Sequence, residues 1–215
     1  MAHASLDIDV YFDLICPWCL IGKRQLKKAL EALAKVPQSP SVQIRWHSVQ
    51  LIPDVPAQGL DFGAFYLQRL GSAAAVVARQ AQVRSAASEA GVDVHFERIQ
   101  RFPNTLQAHQ TLAYASQHLA ADRLHTLIDA LMCGYFQRGA DLGDLDVLLS
   151  MGQQYGLDPD AARAWIAQGQ GIPEPVQVPG VPFFVFNQRL SLSGAQPAEC
   201  LLQAMQEACH VATQD

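Results

Sequence analysis

The sequence predicts an α/β protein in which an all-helical block interrupts a sheet-forming unit. Three features carry this reading. Short β-branched and aromatic runs stand near both ends, at 8–15, 42–49 and 183–192. Residues 61–168 have the apolar spacing of helices. A Pro/Gly-rich connector at 169–180 separates that block from the last strands. The chain has 215 residues, 50% of them hydrophobic and 16% charged, so it is a globular protein with ample length for a core.

Taken in order, 8–15 reads as a buried strand, with β-branched and aromatic residues throughout. From Leu20 to Leu33 the apolar positions fall at helical spacing, and Pro17 suits the first turn, where a missing N–H costs nothing. A turn at 36–40 leads into a second strand, 42–49, with Val42, Ile44 and Trp46 on one face. Pro53 and Pro56 end it. In the helical block, Gly71-Ser72 precedes an Ala-rich helix that ends near Ala90, with Gly91 as its stop. Pro103-Asn104-Thr105 caps a helix through His118, and another runs from Asp122 to about Gly139. Asp144 opens the next, ended by Gly156, and Asp158-Pro159 opens a short one to about Gln168. Beyond the connector, 183–186 and 190–192 form a hairpin about Asn187-Gln188, and a last helix runs from Gln196-Pro197 to about Cys209. The order β-α-β, helices, β-β-α is that of a thioredoxin-like fold with an inserted helical domain. Its halves are 1–57 and 171–215, its insert 58–170, and the halves must pair to complete one sheet.

A net charge of −5 argues against a dedicated nucleic-acid or anionic-membrane surface. The one basic cluster, Lys23, Arg24, Lys27 and Lys28, is expected on the solvated face of the first helix. The first residues lack the basic start and apolar core of a secretory signal, and no apolar run approaches the ~18 residues of a membrane span. The expected location is therefore the cytoplasm, where thiols stay reduced. Of the five cysteines, Cys133, Cys200 and Cys209 fall in helical patterns and read as small buried hydrophobes.

The other two form Cys16-Pro17-Trp18-Cys19, at the turn from the first strand into the first helix. A C-x-x-C pair in that setting reads as a dithiol redox centre, because unpaired N–H groups and partial positive charge at a helix N-terminus favour thiolate over thiol; the blander readings are half of a zinc site or two inert structural cysteines. Zinc needs a second ligand pair, and no second C-x-x-C or H-x-x-H follows, so no metal is expected. Trp18 brings bulk and one N–H but no titratable charge to the pair. Asp13, three residues before Cys16, is a candidate proton shuttle for Cys19; its blander reading is a polar residue at a strand end.

Several stretches carry a resemblance to a known family. They are Phe12 to Cys19 with Ile21-Gly22-Lys23, Arg45-Trp46-His47 followed by Gln50-Leu51, Pro103-Asn104-Thr105 with Ala108-His109, Gly180-Val181-Pro182-Phe183-Phe184, and Ser193-Gly194-Ala195-Gln196-Pro197. In that order, over nearly the whole chain, the sequence resembles the DsbA family of thiol–disulfide oxidoreductases and, within it, the FrnE-like branch. The 2-hydroxychromene-2-carboxylate isomerases and kappa-class glutathione transferases are related to it. The resemblance implies a protein dithiol–disulfide oxidoreductase with Cys16 as nucleophile and Cys19 as resolving thiol. It implies a cis-proline at Pro182, and substrate binding by Pro17, Trp18, Val181 and Pro182. It adds Asn104 and His109 from the helical domain, and Gln196 from the region where relatives hold glutathione. From the residues alone, Asn104 is a good N-cap, His109 an ordinary satisfied histidine and Gln196 a helix cap.

The implied partners are protein thiols and disulfides, or glutathione as a co-substrate, with no resident cofactor, nucleic acid or membrane, in a monomer or homodimer. The alternatives are a glutathione-dependent isomerase or transferase, whose members carry serine where Cys16 stands, and a non-catalytic metal- or cluster-binding module. One stretch departs from the family: Pro173, Pro175 and Pro179 forbid the helix that usually approaches the Gly-Val-Pro turn.

Overall fold

The protein is described by a computed structural model over residues 5–211, the Val211 side chain excepted. The tips of the expected outer segments, 1–4 and 212–215, lie outside the described residues.

Strand β1 (Ser5–Phe12) is flanked by β2 (Ser41–Ser48) and β5 (Phe183–Phe186), with β6 (Leu190–Ser193) beyond, in the order β2-β1-β5-β6. β1 and β2 are parallel and are joined through helix α1 (Pro17–Leu33), since parallel neighbours need a crossover. β5 runs antiparallel to β1, so two segments far apart in sequence complete one sheet. Strand periodicity then sorts the side chains. Leu6, Ile8 and Val10 of β1 and Phe184 and Phe186 of β5 enter a core with Leu26, Ala29 and Leu33 of α1 and Leu201 and Met205 of α8 (Ala198–Val211). Each large side chain buried there contributes about 1.5–3 kcal/mol. Asp7, Asp9 and Tyr11 alternate onto the opposite face.

The β5–β6 turn places Asn187 (φ 47°) and Gln188 (φ 57°) in the left-handed region, the conformation of a two-residue hairpin loop. Asn187 also ties the turn down: its Oδ1 accepts from the Asp7 N–H at 2.8 Å and its Nδ2 donates to the Ala208 carbonyl at 3.1 Å.

The helical unit comprises α2 (Phe62–Leu70), α3 (Ala73–Ala90), α4 (Leu106–His118), α5 (Ala121–Arg138), α6 (Leu145–Gln153) and α7 (Pro159–Ala167). Side-chain caps start four of them: Asp61, Ser72, Asp144 and Asp158 each accept from backbone N–H groups of the first turn. Gly91 and Gly139 end α3 and α5 in the left-handed conformation.

The chain divides into two units, Met1–Val49 with Val176–Asp215, and Gln50–Pro175. Residues 50–57 and 171–175 thus group with the helices. Residues 172–178 form neither helix nor strand. Among the described residues, no helix is long and apolar enough to cross a membrane.

Three expectations change. The first strand runs from Ser5 and stops at Phe12 instead of continuing to Ile15, because Leu14 and Ile15 are buried in a turn closed by the Cys16 N–H on the Asp13 carbonyl at 3.2 Å. Helix α2 and a two-residue pairing of β3 (Leu60–Asp61) with β4 (Arg101–Phe102) were not separately expected. Cys200 is exposed, whereas Cys133 is buried and Cys209 half-buried.

Candidate active site

The turn after β1 delivers Cys16 to the N-cap of α1 in an extended conformation (φ −86°, ψ 112°). Its carbonyl accepts from the N–H groups of Cys19 (3.0 Å) and Leu20 (3.3 Å), starting the helix, while Pro17 fills the first helical position. The first turn holds no acidic side chain to offset its partial positive charge, and the Cys16 sulfur makes no capping hydrogen bond to it. Cys16 is 6% exposed and Cys19 2%, and neither is in a disulfide.

Across from the pair, the Val181–Pro182 peptide bond is cis, as the resemblance implies. The Val181 carbonyl oxygen lies 3.7 Å from the Cys16 sulfur. Pro182 is buried and has no N–H to point at that sulfur. Pro17, Trp18 and Val181 are half-buried.

Cys19 has a different setting. Burial pushes its thiol well above the ordinary range, and a hydrogen bond with the Cys16 sulfur and the charges of Cys16 and Asp13 push the same way; a backbone hydrogen bond at Asp13 opposes them. Asp13 is fully buried. The two thiols are therefore unequal. Alkylation by iodoacetamide at pH 7–8 is expected almost entirely at Cys16, with Cys19 reacting only under strongly alkaline or unfolding conditions. Peptide mass spectrometry reads the ratio, and equal labelling of the two would contradict this asymmetry.

The remaining candidates are placed as follows. Gln196 lies in the loop before α8, where its Nε2 donates to the Ser193 carbonyl at 2.7 Å and its N–H to the Gly194 carbonyl at 2.9 Å. Asn104 and His109 belong to the helical unit. Asn104 ties chain segments together: its Oδ1 accepts from Gln50 Nε2 (2.8 Å) and the Leu106 N–H (2.9 Å), and its Nδ2 donates to the Val55 carbonyl (2.6 Å). His109 is fully buried on α4.

Two features escaped the sequence reading. Gly22, buried on α1, leaves room for the Pro182 ring; an added Cβ would stand 2.8 Å from Pro182 Cγ and 3.3 Å from Phe184 Cζ. A lone glycine inside a helical run was the available signal. The second is a charged network on the sheet face away from the core. Arg45 donates to Asp9 through Nε at 2.8 Å and Nη2 at 3.2 Å, and to Asp7 through Nη1 at 3.2 Å, while His47 Nε2 lies 2.7 Å from Asp9 Oδ1. The Arg45 hydrogen bonds hold the Asp9 carboxyl below its ordinary value, with His47 adding to them and burial opposing. Asp7 and Asp9, alternating inside a strand, were the clue. Among the described residues, no group of three or more His, Cys, Asp or Glu side chains is placed to hold a metal ion.

A dithiol at the N-terminus of the first helix, facing the loop that opens the β5–β6 hairpin, defines the thioredoxin-like class. Residues 7–206 match the DSBA-like thioredoxin domain, and the chain belongs to that family. It is similar to the uncharacterized protein YwbO of Bacillus subtilis (strain 168), with 23% identity over 154 residues, covering 72% of this chain and 68% of that one. Among solved structures, the probable DsbA oxidoreductase SCO1869 of Streptomyces coelicolor superposes with a TM-score of 0.82 at 25% identity, covering 94% of this chain and 89% of that one. A 2-hydroxychromene-2-carboxylate isomerase (TM-score 0.60, 14% identity, 97% and 98% covered) shares the fold. So does the cytosolic disulfide reductase DsbM of Pseudomonas aeruginosa, solved with GSH (TM-score 0.52, 15% identity, 97% and 98% covered).

Proposed function

We propose that this member of the family is a dithiol–disulfide oxidoreductase of the FrnE-like kind, acting on polypeptide or glutathione disulfides through Cys16 and Cys19. The observation that carries the reading is the inequality of the two thiols. Both are buried, but Cys16 stands at a helix N-cap beside the Val181 carbonyl, whereas Cys19 lies within the first turn, where burial raises its thiol well above the ordinary range. In the reducing direction, the Cys16 thiolate attacks a substrate disulfide, forming a mixed disulfide and releasing one substrate thiolate. Cys19 then gives up its proton and attacks Cys16. The Cys16–Cys19 bond forms, the second substrate thiol leaves, and two electrons have passed to the substrate. In the oxidising direction the same steps run backwards, beginning with a substrate thiolate on the Cys16–Cys19 bond. Asp13, whose charge acts on Cys19, is the acceptor we assign to the Cys19 proton.

Cys19→Ser tests this. The variant retains the attacking thiol and lacks the resolving one, so it is expected to accumulate mixed disulfides through Cys16 in the cell of origin. These are resolved on non-reducing gels, cleared by dithiothreitol and identified by mass spectrometry, which also separates protein partners from glutathione. A Cys19→Ser protein that captures nothing, or a wild type that purifies with stoichiometric zinc or iron, would remove the redox reading in favour of a metal-binding module.

A further inference from the structure

We infer that the cavity between α5 and α6 is a binding site for a small monocarboxylate with an apolar body, whose carboxylate is taken by Arg138. The site lies wholly within residues 130–155 of the helical unit and stands apart from the redox chemistry of Cys16 and Cys19.

The cavity has a volume of about 520 Å³, within the range of small-molecule sites. Ala130 of α5, Ala140 just beyond it, and Val147 and Met151 of α6 give it an apolar wall. Gln154 and Tyr155 add neutral polar groups, and Arg138 is the one charged residue among those that line it.

Arg138 is seated by the helix beneath it. Ala130, Gly134 and Arg138 are four residues apart, so they share one stripe of α5. The guanidinium folds back along that stripe. Its Nη2 lies 3.5 Å from the Ala130 carbonyl, and 3.3 Å from where a Cβ on Gly134 would stand. Met151 uses the same gap, with its Cε 2.8 Å from that point. The bare backbone at Gly134 thus sets a cation and a thioether side by side at the cavity wall.

The charge is left open. Among the described residues, no carboxylate pairs with Arg138, and its hydrogen bond is the long one to Ala130. The next acidic side chains along the chain are engaged elsewhere: Asp141 with Arg101 at 3.0 Å, Asp144 on the first turn of α6, and Asp146 with Arg163. One guanidinium fork matches one carboxylate in charge and in its two-point geometry. The apolar wall takes the rest of the ligand.

The test titrates octanoate into the reduced protein at neutral pH, followed by heteronuclear NMR, with acetate and octan-1-ol as controls. Octanoate is expected to saturate while shifting the amides that line the cavity. It should bind about tenfold or more tighter than acetate, which lacks the tail, and than octan-1-ol, which lacks the charge. Arg138→Gln is expected to weaken octanoate about tenfold and leave octan-1-ol unchanged. Should that variant fold poorly, Arg138→Lys, which keeps the charge without the fork, is expected to cost about threefold. Failure to saturate, shifts centred on other residues, or octanoate affinity equal to that of the alcohol or indifferent to Arg138 substitution overturns the site.

Discussion

Cys16→Ser is expected to abolish disulfide reduction, lowering insulin turnover with dithiothreitol by about a thousandfold or more, because a serine hydroxyl is not ionised at neutral pH and is a poor nucleophile toward sulfur. Cys133→Ser, Cys200→Ser and Cys209→Ser are expected to stay within about twofold of the wild type. The contrast follows from placement. Cys133 is buried on α5 within the helical unit, its sulfur 3.9 Å from an Asp129 carboxylate oxygen. Cys200 is exposed in the first turn of α8, but it stands inside that helix and not at its N-cap, and no second cysteine shares the turn. Cys209 is half-buried, and burial pushes its thiol up, which suppresses the reactive form. A requirement for any of these three would mean that electrons pass through a second thiol, and the two-cysteine cycle would have to be replaced.

Much of this arrangement was legible in the sequence because it is specified locally. Ser72, Asp144 and Asp158 announced helix starts by their own capping chemistry, and Gly91 and Gly139 announced ends by the left-handed backbone they adopt. The Cys-Pro-Trp-Cys turn was visible for the same reason: strand, dithiol and helix are consecutive. The errors lie where local pattern and tertiary packing diverge. Leu14 and Ile15 are as apolar as a strand residue, yet they are buried in a turn. Cys200 lies in a helical pattern that suggested burial, but its position faces outward. The pairing of β3 with β4 joins two-residue segments separated by α2, α3 and a short 3-10 turn at Phe96–Arg98, too short for any periodicity to register. The site was only half visible for a related reason. The sequence names Cys16 and Pro182 separately. That Gly22 packs against Pro182, and that Arg45 and His47 close on Asp9 across β1 and β2, depends on pairings between distant segments, which no short window of sequence contains.

Gly22 belongs to this hidden part of the site, and its substitution is expected to separate activity from stability. In a helix interior, alanine for glycine gains about 1 kcal/mol in propensity. Here the new Cβ would stand 2.8 Å from Pro182 Cγ and 3.4 Å from Pro182 Cβ. Overpacking of this kind costs about 1–3 kcal/mol. The propensity gain offsets part of the overpacking in Gly22→Ala, a net loss of about 0–2 kcal/mol, so its Tm is expected to fall by at most about 8 °C. The geometry does not offset in the same way. A proline ring is closed onto its own backbone and cannot swing aside, so relief comes from moving residues 181–183, and with them the carbonyl that faces the Cys16 sulfur at 3.7 Å. Misplacement on the scale of an ångström is costly to a positioned reaction, and kcat/KM for insulin reduction should fall about tenfold or more. Gly22→Val adds two further carbons against Pro182 and Phe184 and loses the propensity gain, so it should also lose about 2 kcal/mol of stability. For a chain of this size that lowers Tm by about 4–8 °C. Calorimetry and insulin turnover on the same preparations separate the two effects. A Gly22→Ala protein with wild-type kcat/KM would show that the Pro182 loop moves freely against α1, and that its distance from Cys16 is not what sets the rate.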